Sequence, residues 1–364
     1  MSKKVIVTGA TGQDGSYMVE YLLENTENTV IAGIRRTSQA ILSNLKNIID
    51  NPRFKLVTVD LCDVHSITRL ISEEKPDYFI NLGAATYVAD SWINPALHIQ
   101  TNAVSLIHIL EAVKNFIPNC RVYSAGSSEQ WGDVKYSPQD EKHPMSPRSV
   151  YGVSKCAASH ICKVYRESFN LFVVHGISTN HESPRRQDYF VTRKITKGVA
   201  NIAHKLKMFT KGVEGISPKE LFWNPIELGN IYAKRDWGHA KDFVEGIWMM
   251  LNQSKNIKEY VLSSNETHSV KEFVELAFKE VNIEGYWEGE GIKERFLLNN
   301  YLQEQIGAVA PPLVTINPNF YRPIDVEILQ GCSDLIRQEL GWKPKYSFKN
   351  LVREMVISDV ENFS

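Results

Sequence analysis

The sequence predicts an α/β protein: a doubly wound parallel sheet followed by a smaller C-terminal lobe. Three observations lead there. Short β-branched apolar runs alternate with helix-patterned segments through the first half; a glycine cluster, VTGATGQDG, sits between the first run and the first helical segment; and the regular alternation stops near residue 180. Near-continuous apolar strands separated by helices belong to a parallel sheet covered on both faces.

KVIVTGA reads as the first strand, and DGSYMVEYLLENT, with apolar residues at helical spacing, as the helix behind it. TVIAGIR, FKLVTVDL, YFINLGA and CRVYSAG are the next strands, with VHSITRLISEE and VSLIHILEAVKNF as helices among them. YGVSKCAASHICKVYRESFN is a long helix and LFVVHGI a further strand. Residues 1–180 are thus expected to form a dinucleotide-binding domain and 181–364 mainly a second lobe, with some later segments returning to the core. In the second part NHESPRRQDYFVTRKITKGVANIAHKL opens as a loop and turns helical, HAKDFVEGIWMMLNQ and VKEFVELAFKEV read as helices, and 286–325 is loop-rich. The ligand cleft is expected between the two parts, beyond the carboxyl ends of the strands.

The 364 residues are 43% apolar and 23% charged, an ordinary globular balance. A formal net charge of −1 gives no basic footprint for nucleic acid or for an anionic membrane. No apolar run approaches the roughly 20 residues of a membrane helix, and MSKKVIVTGATG leads straight into a strand. Cys62, Cys120, Cys156, Cys162 and Cys332 are odd in number and form no CxxC pair, which reads as reduced thiols without a metal site. A soluble cytoplasmic protein is expected.

Gly9, Gly12 and Gly15 have a GxxGxxG spacing, and with Thr11, Gln13 and Asp14 they form a strand-to-helix loop. Such glycines let the backbone turn and approach a pyrophosphate, which then sits on the helix N-terminus in a Rossmann-type site. A turn cluster without ligand is the plainer alternative. The second strand should end near the adenosine ribose, where an NAD site usually offers a carboxylate. GIRRTS instead provides Arg35, Arg36 and Ser38. Guanidinium groups suit a 2′-phosphate, so NADP is favoured over a merely solvated arginine pair. Asp60 and Leu61 are placed to border the adenine, and Leu82, Gly83, Ala84, Ala85 and Thr86 to line the rest of the cofactor.

Tyr151 and Lys155 form YxxxK at the start of a helix, where i and i+4 share a face. A phenol titrating near 10 is a poor base at neutral pH, and an adjacent ammonium favours the phenolate and can hold the cofactor ribose. Alone, the pair is common on helices; behind a glycine loop it is more specific. SSEQWG then places Ser127 and Glu129 at the end of an apolar run. If that run stays extended, the two side chains project to one side, at the carboxyl end of a parallel strand. An alcohol oxidation needs only hydroxyl, tyrosine and cofactor, so the carboxylate implies a second proton transfer, an elimination next to a new ketone. An ion pair with an arginine of the cleft is the structural alternative.

VTGATGQDGSY, NLGA, SSE, PRSVYGVSK, NHESPRR, FVTRKI, AKRDWGHAKDFVE, YRPIDVE and LGWKP together resemble the extended short-chain dehydrogenase/reductase superfamily, and within it the GDP-mannose 4,6-dehydratases and their GDP-sugar relatives. The resemblance covers almost the whole chain. It implies that Ser127 stands in the place of the catalytic threonine, that Glu129 is the acid/base, and that Tyr151 and Lys155 are the oxidation pair. It also implies that His181 and Arg186 join the glycine loop around NADP, and that Asn180, Val191, Lys194, Asn230, Arg235 and Arg322 lie along the GDP-sugar. Arginine and lysine on a diphosphate are physically reasonable. A satisfied core histidine at 181 and a fold-stabilising pair at Arg322 stay open.

The implied reaction is redox-neutral: oxidation at C4, loss of water across C5–C6 and hydride return to C6. Relatives assemble through the helix bearing YxxxK, which implies a homodimer or homotetramer. Val153, Ala157, Ile161 and Val164 would serve that packing or an internal core equally well. There are departures from the family pattern. Serine replaces threonine at 127 and so lacks a methyl that would restrict its rotamer, glycine stands at 126 where serine is common, and the stretch from 204 to 230 is long. The last point keeps another GDP-sugar (a manno-heptose or an N-acetylhexosamine) as an alternative substrate, besides a nucleotide-sugar reductase or epimerase of the same superfamily.

Overall fold

The computed structural model describes residues 2–35, 42–211, 222–254, 257–299, 310–320 and 328–363. Seven strands form one parallel sheet: β1 (Lys4–Thr8), β2 (Thr29–Ile34), β3 (Phe54–Thr58), β4 (Tyr78–Asn81), β5 (Arg121–Ala125), β6 (Val173–Ser178) and β7 (Glu259–Leu262), in the order β3-β2-β1-β4-β5-β6-β7. The order reverses between β1 and β4, so loops leaving the carboxyl ends of those two strands open into a crevice.

Alternation along the strands sends side chains into two separate cores. Val5 and Val7 of β1 pack with Val30 and Ala32 of β2 against Met18 and Leu22 of α1 (Gln13–Asn25). Ile6 and Ile31 face the other way, onto Ile67 and Ile71 of α2 (Val64–Glu74), Leu106, Leu110 and Val113 of α3 (Ser105–Phe116), and Ala158 and Cys162 of α4 (Val150–Phe169). Phe243 and Ile247 of α5 (Ala240–Asn252) join the first core. The central positions of these strands are apolar because both faces are covered. Ser149 caps α4, accepting from Gly152 N–H at 3.0 Å, and Asp63 caps α2, accepting from His65 N–H at 2.9 Å.

The chain divides into two compact units. The first comprises Met1–His181, Asp236–Glu266 and Leu329–Lys345; the segment Asp236–Glu266 supplies both β7 to the sheet and α5 to its face. One carboxylate ties these three segments together. Asp236 is fully buried and accepts from Thr179 Oγ1 (3.1 Å), Ser264 N–H (2.9 Å) and Oγ (2.7 Å), Asn265 N–H (3.2 Å) and Gly331 N–H (3.2 Å). Burial pushes its carboxyl up to about 6 even with these donors around it.

The second unit comprises Glu182–Arg235, Thr267–Ile328 and Tyr346–Ser364. Its helix Val191–Lys211 is bound to the helix Phe348–Asn362 through a buried ion pair between Arg193 and Asp359. The sequence reading of 286–325 as loop-rich needs correction. Strands Gly285–Glu288, Arg295–Leu298 and Val314–Ile316 lie there and form a four-stranded sheet with Ile226–Leu228. Runs of three or four residues are too short for a period of two to register in the sequence. NHESPRR likewise opens with a short strand, Asn180–Glu182, rather than a loop.

Candidate active site

The glycine loop leaves β1 with Gly9 at φ +67°, and a Cβ there would lie 2.8 Å from Gly83 N and 2.9 Å from the Leu82 carbonyl carbon. Only glycine lets the loop from β1 press against the segment following β4. Thr8 Oγ1 locks the two strand ends together, donating to Asn81 Oδ1 (2.7 Å) and accepting from Gly83 N–H (3.0 Å). Leu61 covers Gly83, approaching within 2.6 Å of where a Cβ would be. The expected cofactor segments Gly9–Gly15, Asp60–Leu61 and Leu82–Thr86 therefore meet at the switch point. Asp60 and Leu61 lie in a turn just past β3, with Asp60 Oδ1 accepting from Cys62 N–H at 2.9 Å.

Gly12 begins α1 without a side-chain cap. Gly12 offers no capping side chain to the first-turn N–H groups, which fits a pyrophosphate there. Asp14 sits in that turn beside His181. The ring's Nε2 lies 2.8 Å from Asp14 Oδ2 and its Nδ1 2.8 Å from the Thr179 carbonyl, so each ring nitrogen faces an acceptor. Gln13 Nε2 donates to the His181 carbonyl (3.0 Å), and Phe243 stacks on the imidazole. His181 is therefore fastened to the glycine-loop helix. Arg35 is exposed just past β2, while Arg36, Ser38, Arg322 and 212–221 of the long 204–230 stretch lie outside the described residues.

Tyr151 and Lys155 are both buried near the start of α4. Lys155 Nζ donates to the Ala125 carbonyl (2.7 Å) and lies 5.8 Å from the centre of the Tyr151 ring. Burial drives the lysine down to about 8, opposed by the Asp14 charge. It thus keeps its proton at neutral pH but is readily discharged above it.

The expectation of an extended run through Glu129 is not met. β5 ends at Ala125, and Ser128–Gln130 form a single 3₁₀ turn with Ser127 as its cap. Ser127 Oγ accepts from Glu129 N–H at 3.3 Å. Ser and Gln three apart satisfy this turn with a capping box, which outcompetes continued strand once β5 loses its neighbours. The turn rests on α4. A Cβ on Gly152 would lie 2.6 Å from the Glu129 carbonyl oxygen, and Cys156 Sγ donates to the Gln130 carbonyl at 3.3 Å. Ser127, Glu129, Tyr151 and Lys155 are so gathered by one helix and one turn.

Asn102 belongs to this site although nothing in the sequence singled it out. It sits in a π turn, Gln100–Val104, that precedes α3. Its amide accepts from Ala85 N–H (2.9 Å) and donates to the Ala85 carbonyl (3.0 Å) and to Ser154 Oγ (2.9 Å), while Ser154 donates to the Tyr151 carbonyl (2.6 Å). The segment after β4 is thereby linked to the helix bearing YxxxK, and such π turns often mark functional positions.

In the second unit, Arg186 lies over the Phe190 ring (3.5 Å) and beside Glu182 (3.0 Å), and Lys194 lies over Phe320 (3.8 Å). Burial lowers the Lys194 ammonium, with Glu227 opposing. Arg235 is nine-tenths buried and donates to the Lys234 carbonyl (2.9 Å), Asn230 Oδ1 accepts from Tyr232 N–H (3.0 Å), and Val191 is exposed at a helix start. Asn180 is half-buried, in the first unit. Among the described residues no cluster of His, Cys, Asp and Glu could hold a metal ion, and no helix is long and apolar enough to cross a membrane.

A glycine loop at the switch of a seven-stranded parallel sheet, with YxxxK on the helix beside β5, defines the extended short-chain dehydrogenase/reductase fold. Solved structures agree on the fold. UDP-glucuronic acid 4-epimerase from Bacillus cereus has a TM-score of 0.78 at 18% identity, covering 99% of this chain and 100% of that one. dTDP-glucose 4,6-dehydratase from Streptomyces venezuelae has a TM-score of 0.75 at 18% identity, covering 99% and 97%. Within that class the chain belongs to the GDP-mannose 4,6 dehydratase family, whose model matches residues 6–355. It is 39% identical to the GDP-mannose 4,6 dehydratase of Drosophila melanogaster, over 99% of this chain and 86% of that protein. It is 38% identical to that of Vibrio cholerae (99% and 95%) and 39% identical to that of Homo sapiens (98% and 91%).

Proposed function

We propose that the protein is a hydro-lyase that converts GDP-mannose to GDP-4-keto-6-deoxymannose with NADP as a returning cofactor. The observation that carries this reading is the seating of the Ser127–Glu129 turn on Gly152 beside Tyr151, which gives an oxidation pair an acid/base neighbour. Family membership supports the substrate class. NADP rather than NAD rests on Arg35, Arg36 and Ser38 in the sequence.

Gly9, Gly12 and the uncapped first turn of α1 would hold the pyrophosphate, with the Asp60–Leu61 turn and residues 82–86 along the nucleoside and nicotinamide. When bound, the nicotinamide supplies hydride uptake from C4 and return to C6. Tyr151, as the phenolate favoured by the Lys155 ammonium, takes the C4 hydroxyl proton. The ketone at C4 acidifies C5–H, and Glu129 removes that proton. Ser127 Oγ already accepts from Glu129 N–H, so its own proton is left to point away from the turn, toward the C6 oxygen that departs as water. Glu129 passes the proton taken at C5 back to Ser127, replacing the one lost with water, and once hydride has returned to C6 the enolate takes up at C5 the proton that Tyr151 removed from the C4 hydroxyl and exchanged with solvent. By the family resemblance Lys194, Asn230 and Arg235 take the GDP moiety, where cations suit a diphosphate. The exposed apolar stripe of Val153 and Val164 on α4 supports pairing with a second copy.

The test is incubation of purified protein with GDP-mannose in deuterated water without added NADPH. A dehydratase gives a 4-keto-6-deoxy sugar with solvent deuterium at C5. Product formed only in proportion to added NADPH would instead make the enzyme a reductase.

A further inference from the structure

Behind the Ser127–Glu129 turn lies a buried polar chain that the mechanism above does not use. Gln130 and His175 of β6 are both fully buried. Burial, with the Lys155 and Arg166 cations nearby, drives the imidazole down to about 3, so the ring is neutral and carries one proton. Its Nδ1 lies 3.3 Å from Ser124 Oγ and 3.9 Å from Cys162 Sγ, both able to donate. Its Nε2 lies 3.4 Å from Gln130 Oε1, which can only accept, so the proton sits on Nε2. Gln130 Oε1 also accepts from the Ser127 backbone N–H at 3.5 Å, and that fixed donor decides which way the amide faces. Gln130 Nε2 is left buried without a hydrogen-bond partner. An apolar residue of similar size would avoid that cost, so an amide here calls for a reason.

Gly126 supplies the space. A Cβ at this position would overlap Nε2 of His175. Glycine at 126 and serine at 127 are two of the departures noted above from the family pattern; the first adjoins the imidazole and the second is linked to it through Gln130.

We propose that His175 and Gln130 are positioning residues: their buried hydrogen-bond chain holds the Ser127 backbone N–H, and with it the turn that presents the Ser127 hydroxyl, a placement that a β-branched residue would support through its methyl group. The capping box fixes both the Ser127 backbone N–H and its Oγ against the turn. The inference rests on the dehydratase reading, in which Ser127 hands a proton to the C6 oxygen.

Steady-state kinetics of the full chain with GDP-mannose test it, with folding checked by circular dichroism and thermal midpoint. Gln130→Met lowers kcat about tenfold while KM stays within about twofold, and His175→Leu does the same. The double variant is no slower than either single one, since one chain is broken in each case. Measured in a background carrying Ser127→Thr, the cost of Gln130→Met shrinks to less than about threefold. Gly126→Ala, which displaces the imidazole without removing it, reproduces the loss and decides the matter if the other variants do not fold. An unchanged kcat, additive losses, or equal cost in both backgrounds overturns the relay alone. A wild-type protein inactive on GDP-mannose overturns the functional reading and the relay with it.

Discussion

At the scale of single residues, the protein separates two proton tasks between two short segments. In the proposed mechanism Glu129 would serve elimination and Tyr151 oxidation. Glu129→Gln should lower keto-sugar formation by about 10²–10⁴-fold. The oxidation pair is untouched, so reduced cofactor should still accumulate in a single turnover, read by its absorbance. Wild-type dehydration by this variant would remove the carboxylate from the mechanism. On this mechanism Lys155 should set the alkaline side of the activity. Its ammonium, held at about 8 by burial, is lost as pH rises through that value, and with it the charge that favours the phenolate. kcat should therefore fall above pH 8. The Asp14 charge opposes the burial, so Asp14→Asn should move the alkaline limb to lower pH. A limb that stays in place would show that another group sets it.

At the scale of elements, the site depends on close approaches that need absent side chains. Gly152→Ala puts a carbon 2.6 Å from the Glu129 carbonyl oxygen and 2.9 Å from Pro147 Cβ. The turn must lift, and kcat should drop about 10²-fold, as displacements near 1 Å do at reacting centres, with circular dichroism unchanged. The parallel sheet was legible in the sequence because strands such as Val5–Val7 are apolar at every position, and YxxxK was legible because two residues on one helix face suffice to define it. What escaped was written in contacts between distant segments. Ser127 and Glu129 leave the strand because a capping box and Gly152 offer the turn a better seat. Asn102 lies in a π turn that largely precedes the helix read from VSLIHILEAVKNF, in a stretch to which the sequence assigned no element. Three short strands within 285–316 carry too few residues to show a period. His175 lies in an otherwise apolar strand, and only the space at Gly126 explains it.

At the scale of the whole molecule, Asp236 gathers three separate stretches of chain. Its carboxyl is raised to about 6 in the folded state against about 3.9 unfolded. The folded protein therefore binds the extra proton between these values, and the favourable contribution is full below pH 4 and lost as pH rises through 6. Compared with Asp236→Asn, the wild type should gain up to about 3 kcal/mol of unfolding free energy from pH 7 toward pH 4, two pKa units at about 1.4 kcal/mol each. Denaturant titrations of both proteins at several pH values read this difference, and parallel curves would remove Asp236 as the source. The same threading governs biogenesis. Since the first unit needs Leu329–Lys345 as well as Met1–His181, a ribosome that has finished β6 must keep translating for roughly ten to thirty seconds, at about 5–20 residues per second, before the unit is complete. Until α5 and β7 have been made, the nascent sheet shows β6 as a bare edge and an uncovered apolar face, which makes this protein a natural client for chaperones that shelter growing chains.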